Sequence, residues 1–96
     1  MSIARINEMF AQKGHEDELS EFIAVVVRPY LERSPGCLSC LSFRSRENPS
    51  KFVVIEQWES AESQRASMLA TPPEQTRHLR VLLASGGSAT LYDPLQ

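Results

Sequence analysis

Phe52-Val53-Val54-Ile55-Glu56-Gln57-Trp58 is rich in β-branched and aromatic residues and reads as a β-strand. Successive side chains of a strand point to opposite faces of its sheet. Phe52, Val54, Glu56 and Trp58 therefore share one face, and Val53 and Ile55 share the other. Large apolar groups stand on both. A sheet with water on one side alternates apolar and polar residues instead, so both sides of this one need cover. Immediately upstream, Asn48-Pro49 marks a turn. Before it, Cys37 to Arg46 reads as a second strand that opens after Pro35-Gly36.

Further back, Leu19, Phe22, Ile23, Val26 and Tyr30 recur at helical spacing and form one face. Glu16, Asp17 and Glu18 fill the first turn of that helix, where its dipole favours negative charge. Pro29 is expected to kink or end the regular helix near Arg28. Ile3 to Phe10 reads as the first strand, with Ala4, Ile6 and Phe10 on one face and Ile3, Arg5, Asn7 and Met9 on the other. Downstream, Ser60 caps a short helix over Ala61–Ala70. Thr71-Pro72-Pro73-Glu74 predicts a fresh helix start, with Thr71 as cap, Pro72 in the first helical position and Glu74 closing a capping box. Leu79, Leu82 and Leu83 supply that helix's apolar side, Gly86-Gly87 ends it, and Ser88 to Asp93 is the last strand.

The order is β-α-β-β-α-β with the second helical part split in two. That predicts an α+β, ferredoxin-like fold: a four-stranded antiparallel sheet with helices on one face. Helices of one chain cover one side only. The simplest cover for the other is the same face of a second copy, which predicts a two-fold homodimer.

With 96 residues, the chain is expected to be one domain over its whole length, 1–96. Its apolar fraction of 42%, charged fraction of 23% and net charge of −2 are ordinary for a globular protein. No basic stripe offers itself to nucleic acid. The longest apolar run, Ile23–Val27, is far short of a membrane span, and Met1 to Glu8 does not read as a signal peptide. A cytoplasmic location is expected, and two cysteines suit it.

Several side chains invite two readings. Trp58 either packs the end of its strand or presents a ring surface. Asn7, a polar amide within an apolar strand, either hydrogen-bonds at a sheet edge or dimer interface or meets a ligand. Glu56 is either a buried base or the partner of an arginine such as Arg5 or Arg44. Cys37-Leu38-Ser39-Cys40 is a C-x-x-C that leads into a strand. It reads as two reduced thiols, not a redox or zinc motif, and no metal is expected. His15 is expected to be solvated. His78 lies in Arg77-His78-Leu79-Arg80, either on the helix surface or turned toward a pocket.

Pro35-Gly36-Cys37-Leu38, Glu47-Asn48-Pro49 and Phe52-Val53-Val54-Ile55-Glu56-Gln57-Trp58-Glu59-Ser60-Ala61-Glu62, together with Gly14-His15-Glu16-Asp17-Glu18-Leu19, resemble the antibiotic biosynthesis monooxygenase family of dimeric α+β barrels. The resemblance implies a pocket between sheet and helices that binds a small-molecule substrate. It implies oxygenation of a small planar phenolic or quinol-type molecule by dioxygen, without a cofactor. Other enzymes on the fold (isomerases, quinone-handling proteins) and non-catalytic binders remain alternatives. Asn7 and Trp58 match positions that carry function in the family, and imply anion binding and ring positioning. Phe22, Glu56, Ser67 and His78 are further candidates for the pocket wall. Ser67 stands where haem-degrading relatives carry their histidine ligand, so the resemblance does not extend to haem.

Overall fold

In the computed structural model, which describes residues 1–95, the sequence forms the expected layers. Strands β1 (Ile3–Phe10), β2 (Cys37–Arg44), β3 (Lys51–Trp58) and β4 (Ser88–Tyr92) make an antiparallel sheet in the order β2-β3-β1-β4. Helices α1 (Glu16–Phe22), α2 (Arg28–Arg33), α3 (Ala61–Leu69) and α4 (Pro73–Leu82) form the second layer. This is the ferredoxin-like α+β order.

Register assigns the faces. Across β1 and β3, Ile3 opposes Trp58, Arg5 opposes Glu56, Asn7 opposes Val54 and Met9 opposes Phe52. These eight residues share the face under the helices, where Met9, Val54, Phe52 and Trp58 are buried. Leu19 and Ile23 from the first helical segment and Leu82 from α4 complete this core. Each fully buried side chain of this size contributes roughly 1.5–3 kcal/mol. On the other face Phe10, Leu41, Phe43 and Tyr92 remain between 42% and 54% exposed.

The helices depart from regularity at two prolines. Near Arg28 the first helical segment is interrupted, as Pro29 leads one to expect, but not ended. Its regular winding stops at Phe22, runs through a π turn over Ile23–Val27, and resumes as α2 with Pro29 near its start. In a regular α-helix the Pro29 ring would press on the Val25 carbonyl. The wider turn, in which Arg28 N–H reaches back to the Ile23 carbonyl, relieves that overlap. The second departure is α4, which starts at Pro73, not Pro72. Helical geometry is disfavoured for a residue that precedes proline, and Pro72 is extended at ψ 135°. Thr71 then caps nothing; its hydroxyl donates to the Ser67 carbonyl at 3.0 Å. Ser60 does cap α3, accepting Ser63 N–H at 3.1 Å.

Two local devices shape β2. Leu38 is an extra residue, since Cys37 opposes Trp58 while Ser39 opposes Gln57. This bulge turns Cys37 and Cys40 to the same face, although residues three apart in an unbroken strand point oppositely. Gly36, just before the strand, has φ +87°, and a Cβ there would collide with the Ser63 side chain. Gly36→Ala is therefore expected to destabilise the protein by more than the roughly 1–2 kcal/mol of a left-handed backbone penalty alone. A lowered midpoint of urea unfolding would show it; an unchanged midpoint would contradict the geometry.

Candidate active site

A cavity of about 220 Å³ lies between the sheet and the helices. Its floor comes from β1 and β3, which present Arg5, Asn7, Val54, Glu56 and Trp58. Its walls come from Val27, Tyr30 and Leu31, from Ser67 and Met68 on α3, and from Leu79 on α4. The volume is below the usual 300–1,000 Å³ or so of ligand pockets, a size for a small molecule.

Glu56 organises the floor. It is 1% exposed, and both its oxygens are engaged. Arg5 Nη1 donates to Oε2 at 2.8 Å, and the Trp58 indole N–H donates to Oε1 at 2.9 Å. Of the two readings for Glu56, the arginine partner is the one observed, and it is Arg5. Arg44 instead pairs with Asp17 at 3.0 Å. Trp58 is 0% exposed. It reaches the cavity from within the packed floor, and its one polar atom is committed to Glu56.

Asn7 stands on the same face, two residues from Arg5. Among the described residues no protein group hydrogen-bonds its amide. Asn7 is half-buried, so this amide can meet water or a guest. The cavity opposite is closed by a polar seam. The Tyr30 hydroxyl donates to the Ser67 carbonyl at 2.7 Å, and the Ser34 and Ser67 hydroxyls share a 2.7 Å bond. Ser67 is buried and acts here as a tie between the end of α2 and α3. No histidine or cysteine lines this cavity. Among the described residues no group of three or more His, Cys, Asp or Glu could hold a metal ion.

Of the six residues singled out from sequence, Asn7, Glu56, Trp58 and Ser67 come together here. Phe22 and His78 do not. Their rings lie 4.6 Å apart beside a shallow depression on the outer side of the helices. His78 Nε2 faces Glu18 at 3.7 Å, and Glu18 also meets His15 at 3.0 Å. Phe22 is partly buried against the core here, and His78 is exposed beside it. Arg5 was legible only as a partner for Glu56. Its spacing from Asn7 along one strand face was the available signal that it belongs to the site itself. Beside Glu56, burial and then the Glu56 charge push the Cys40 thiol up to about 12, and burial raises that of Cys37. Both cysteines are free and protonated near neutrality.

Residues 2–70 match the family model described as antibiotic biosynthesis monooxygenase. No curated protein matches the chain. Among solved structures, the cofactor-independent oxygenase SnoaB from Streptomyces nogalater superposes with a TM-score of 0.83 at 22% identity, over 99% of this chain and 94% of SnoaB. Rv0793 from Mycobacterium tuberculosis gives 0.84 at 17% identity, over 100% and 97%. A Chloroflexus aurantiacus protein gives 0.74 at 27% identity, over 100% and 97%. SnoaB and Rv0793, at these identities, show the shared fold.

Glu56 is the joint of the site, so the indole N–H should matter to stability. Trp58→Phe keeps an aromatic ring in the floor but leaves Oε1 without its donor. The expected loss is roughly 1.5–3 kcal/mol, the worth of a hydrogen bond to a charged group. Circular dichroism during guanidinium unfolding measures it, since the variant has no tryptophan to follow. Equal midpoints would mean that the bond contributes nothing.

Proposed function

The chain belongs to the antibiotic biosynthesis monooxygenase family, and from that premise we propose that it oxygenates a small planar phenolic or quinol-type molecule with dioxygen, without a bound cofactor. The observation that carries the reading is the unpartnered Asn7 amide in a cavity under the helices, beside the Arg5–Glu56 pair. Asn7 would hold the substrate oxygen through its NH2 group. Trp58 would act mainly by holding Glu56, because its ring is buried.

In this scheme the ionised substrate is itself the reductant. A ring CH2 opposite the oxygen becomes a carbonyl. Dioxygen provides the carbonyl oxygen and the oxygen of one water. The carbon gives up four electrons and two hydrogens, and the hydrogens leave in that water. Donors aimed at the oxygen anion stabilise the charge that the reaction needs.

With an anthrone as probe, dioxygen uptake above the buffer rate is expected. Asn7→Ala should lower kcat/KM by about tenfold or more, the loss of one anion donor being worth up to about 10²–10³. Uptake at the buffer rate, or an unaltered Asn7→Ala variant, would defeat the assignment. Ligand-induced stabilisation without uptake would make the protein a binder.

We also propose that two copies pair through the open face of the sheet. The row Phe10, Leu41, Phe43 and Tyr92 supports this, as an apolar face of that kind marks an interaction surface. A lysine at its centre, Leu41→Lys, should convert a dimer to a monomer in sedimentation velocity. An unchanged mass would move the interface elsewhere.

A further inference from the structure

The proposed chemistry needs an ionised substrate, yet the cavity holds no free base. Both oxygens of Glu56 are engaged. No imidazole lines the walls, and the Tyr30 hydroxyl donates to Ser67. What the site does hold is a fixed cation. Arg5 is the accessible member of its ion pair, with a side chain 21% exposed against 1% for Glu56. A guanidinium has five N–H donors, and the structure assigns one of Arg5's to Glu56. The Arg5 side chain lines the cavity, as Asn7 does.

We infer that Arg5 selects the substrate already ionised: the site captures a phenolate or enolate oxygen made in solution, with Arg5 as the charge-selecting group and Glu56 and Trp58 as the positioning residues that aim it. The inference rests on the site assigned above, not on the oxygen chemistry. Around Arg5, β3 contributes Glu56, β2 the protonated Cys40 and Cys37, and α2 Tyr30, with the charges of Arg28 and Glu32 on α2 acting on those same cysteines. The α3 and α4 sides present uncharged groups such as Gln64, Gln75 and Thr76, and β4 brings Leu91 opposite Arg5. Glu56 also lines the cavity and offsets part of the guanidinium charge, but both its oxygens are engaged while Arg5 keeps donors to spare. A small acid bound there pays less to ionise than it does in water, because an opposite charge within about 4–6 Å lowers an acid's pKa by about 1–3 units.

The test uses para-nitrophenol, whose anion is coloured and which needs no dioxygen to be read. Titrated on the protein, it should ionise at lower pH than in solution, corresponding to a preference for the anion of about tenfold or more. Arg5→Gln alone leaves Glu56 buried and unpaired and is expected to unfold the chain or nearly so. Two other variants keep the test decisive. Glu56→Gln removes the offsetting charge and should raise the preference for the anion. The double variant Arg5→Gln with Glu56→Gln, checked for folding by circular dichroism, should abolish it. A merely structural Arg5 would move neither ratio. Absence of any anion preference in the unaltered protein, or a preference that survives in the folded double variant, overturns the inference. Anthrone-dependent dioxygen uptake measured alongside separates the two readings. Arg5-dependent nitrophenolate binding without uptake would keep this inference and remove the oxygenase. Uptake with no Arg5-dependent preference would do the reverse.

Discussion

A carboxylate with almost no access to water must be neutralised where it stands. Leaving Glu56 alone would cost several kcal/mol, and the sheet supplies two donors to prevent it. One comes across the ladder from β1 and the other from two residues along β3. The geometry that follows is tightly constrained. Arg5 must extend along the cavity floor, and the indole must lie in the packed layer with its N–H turned to Oε1. Asn7, next on the same face as Arg5, lines the cavity with its Oδ1 close to Gly87. The site's polar end is thus a by-product of solving one burial problem.

Much of this was readable in the residues. Alternation in β3 placed Phe52, Val54, Glu56 and Trp58 together, and alternation in β1 placed Arg5 with Asn7. The order of elements followed from these strands and the helical spacing between them. What failed to show was phase. Val25, Val26 and Val27 are identical, so the apolar spacing cannot say which of them turns inward. An unbroken helix predicts Val26, together with Phe22. The observed inner line is Leu19, Ile23, Val27 and Leu31, four residues apart at each step. Phe22, which precedes the turn, packs against the core without reaching the cavity, and His78 on α4 is exposed. Likewise, strand periodicity is silent about the bulge at Leu38, and so about which face Cys37 and Cys40 share.

The sheet divides its labour by face. Under the helices it carries a charge pair, an amide and a cavity. On the other side it carries an apolar row in which Leu41 and Phe43 stand beside Ile55 and Val53, with Glu8 opposite Val53 and paired to Lys51 at 3.4 Å. Alternation along the same strands writes both surfaces. A one-residue slip in β3 would exchange them, bringing Glu56 to the apolar row and Ile55 to the floor. Cross-strand pairing of Arg5 with Glu56 opposes that slip with an energy that apolar packing alone would not supply.

The π turn over Ile23–Val27 has one more consequence. Inserting a residue into a helix rotates everything beyond it by about 100°. The turn therefore works as a dial between two rigid lengths of helix: the part before it is set by the core, through Leu19 and Ile23, and the part after it is set by the cavity, through Tyr30 and Leu31. Ligand contact is thereby concentrated after the turn, at Tyr30, while Leu31 serves cavity and core together.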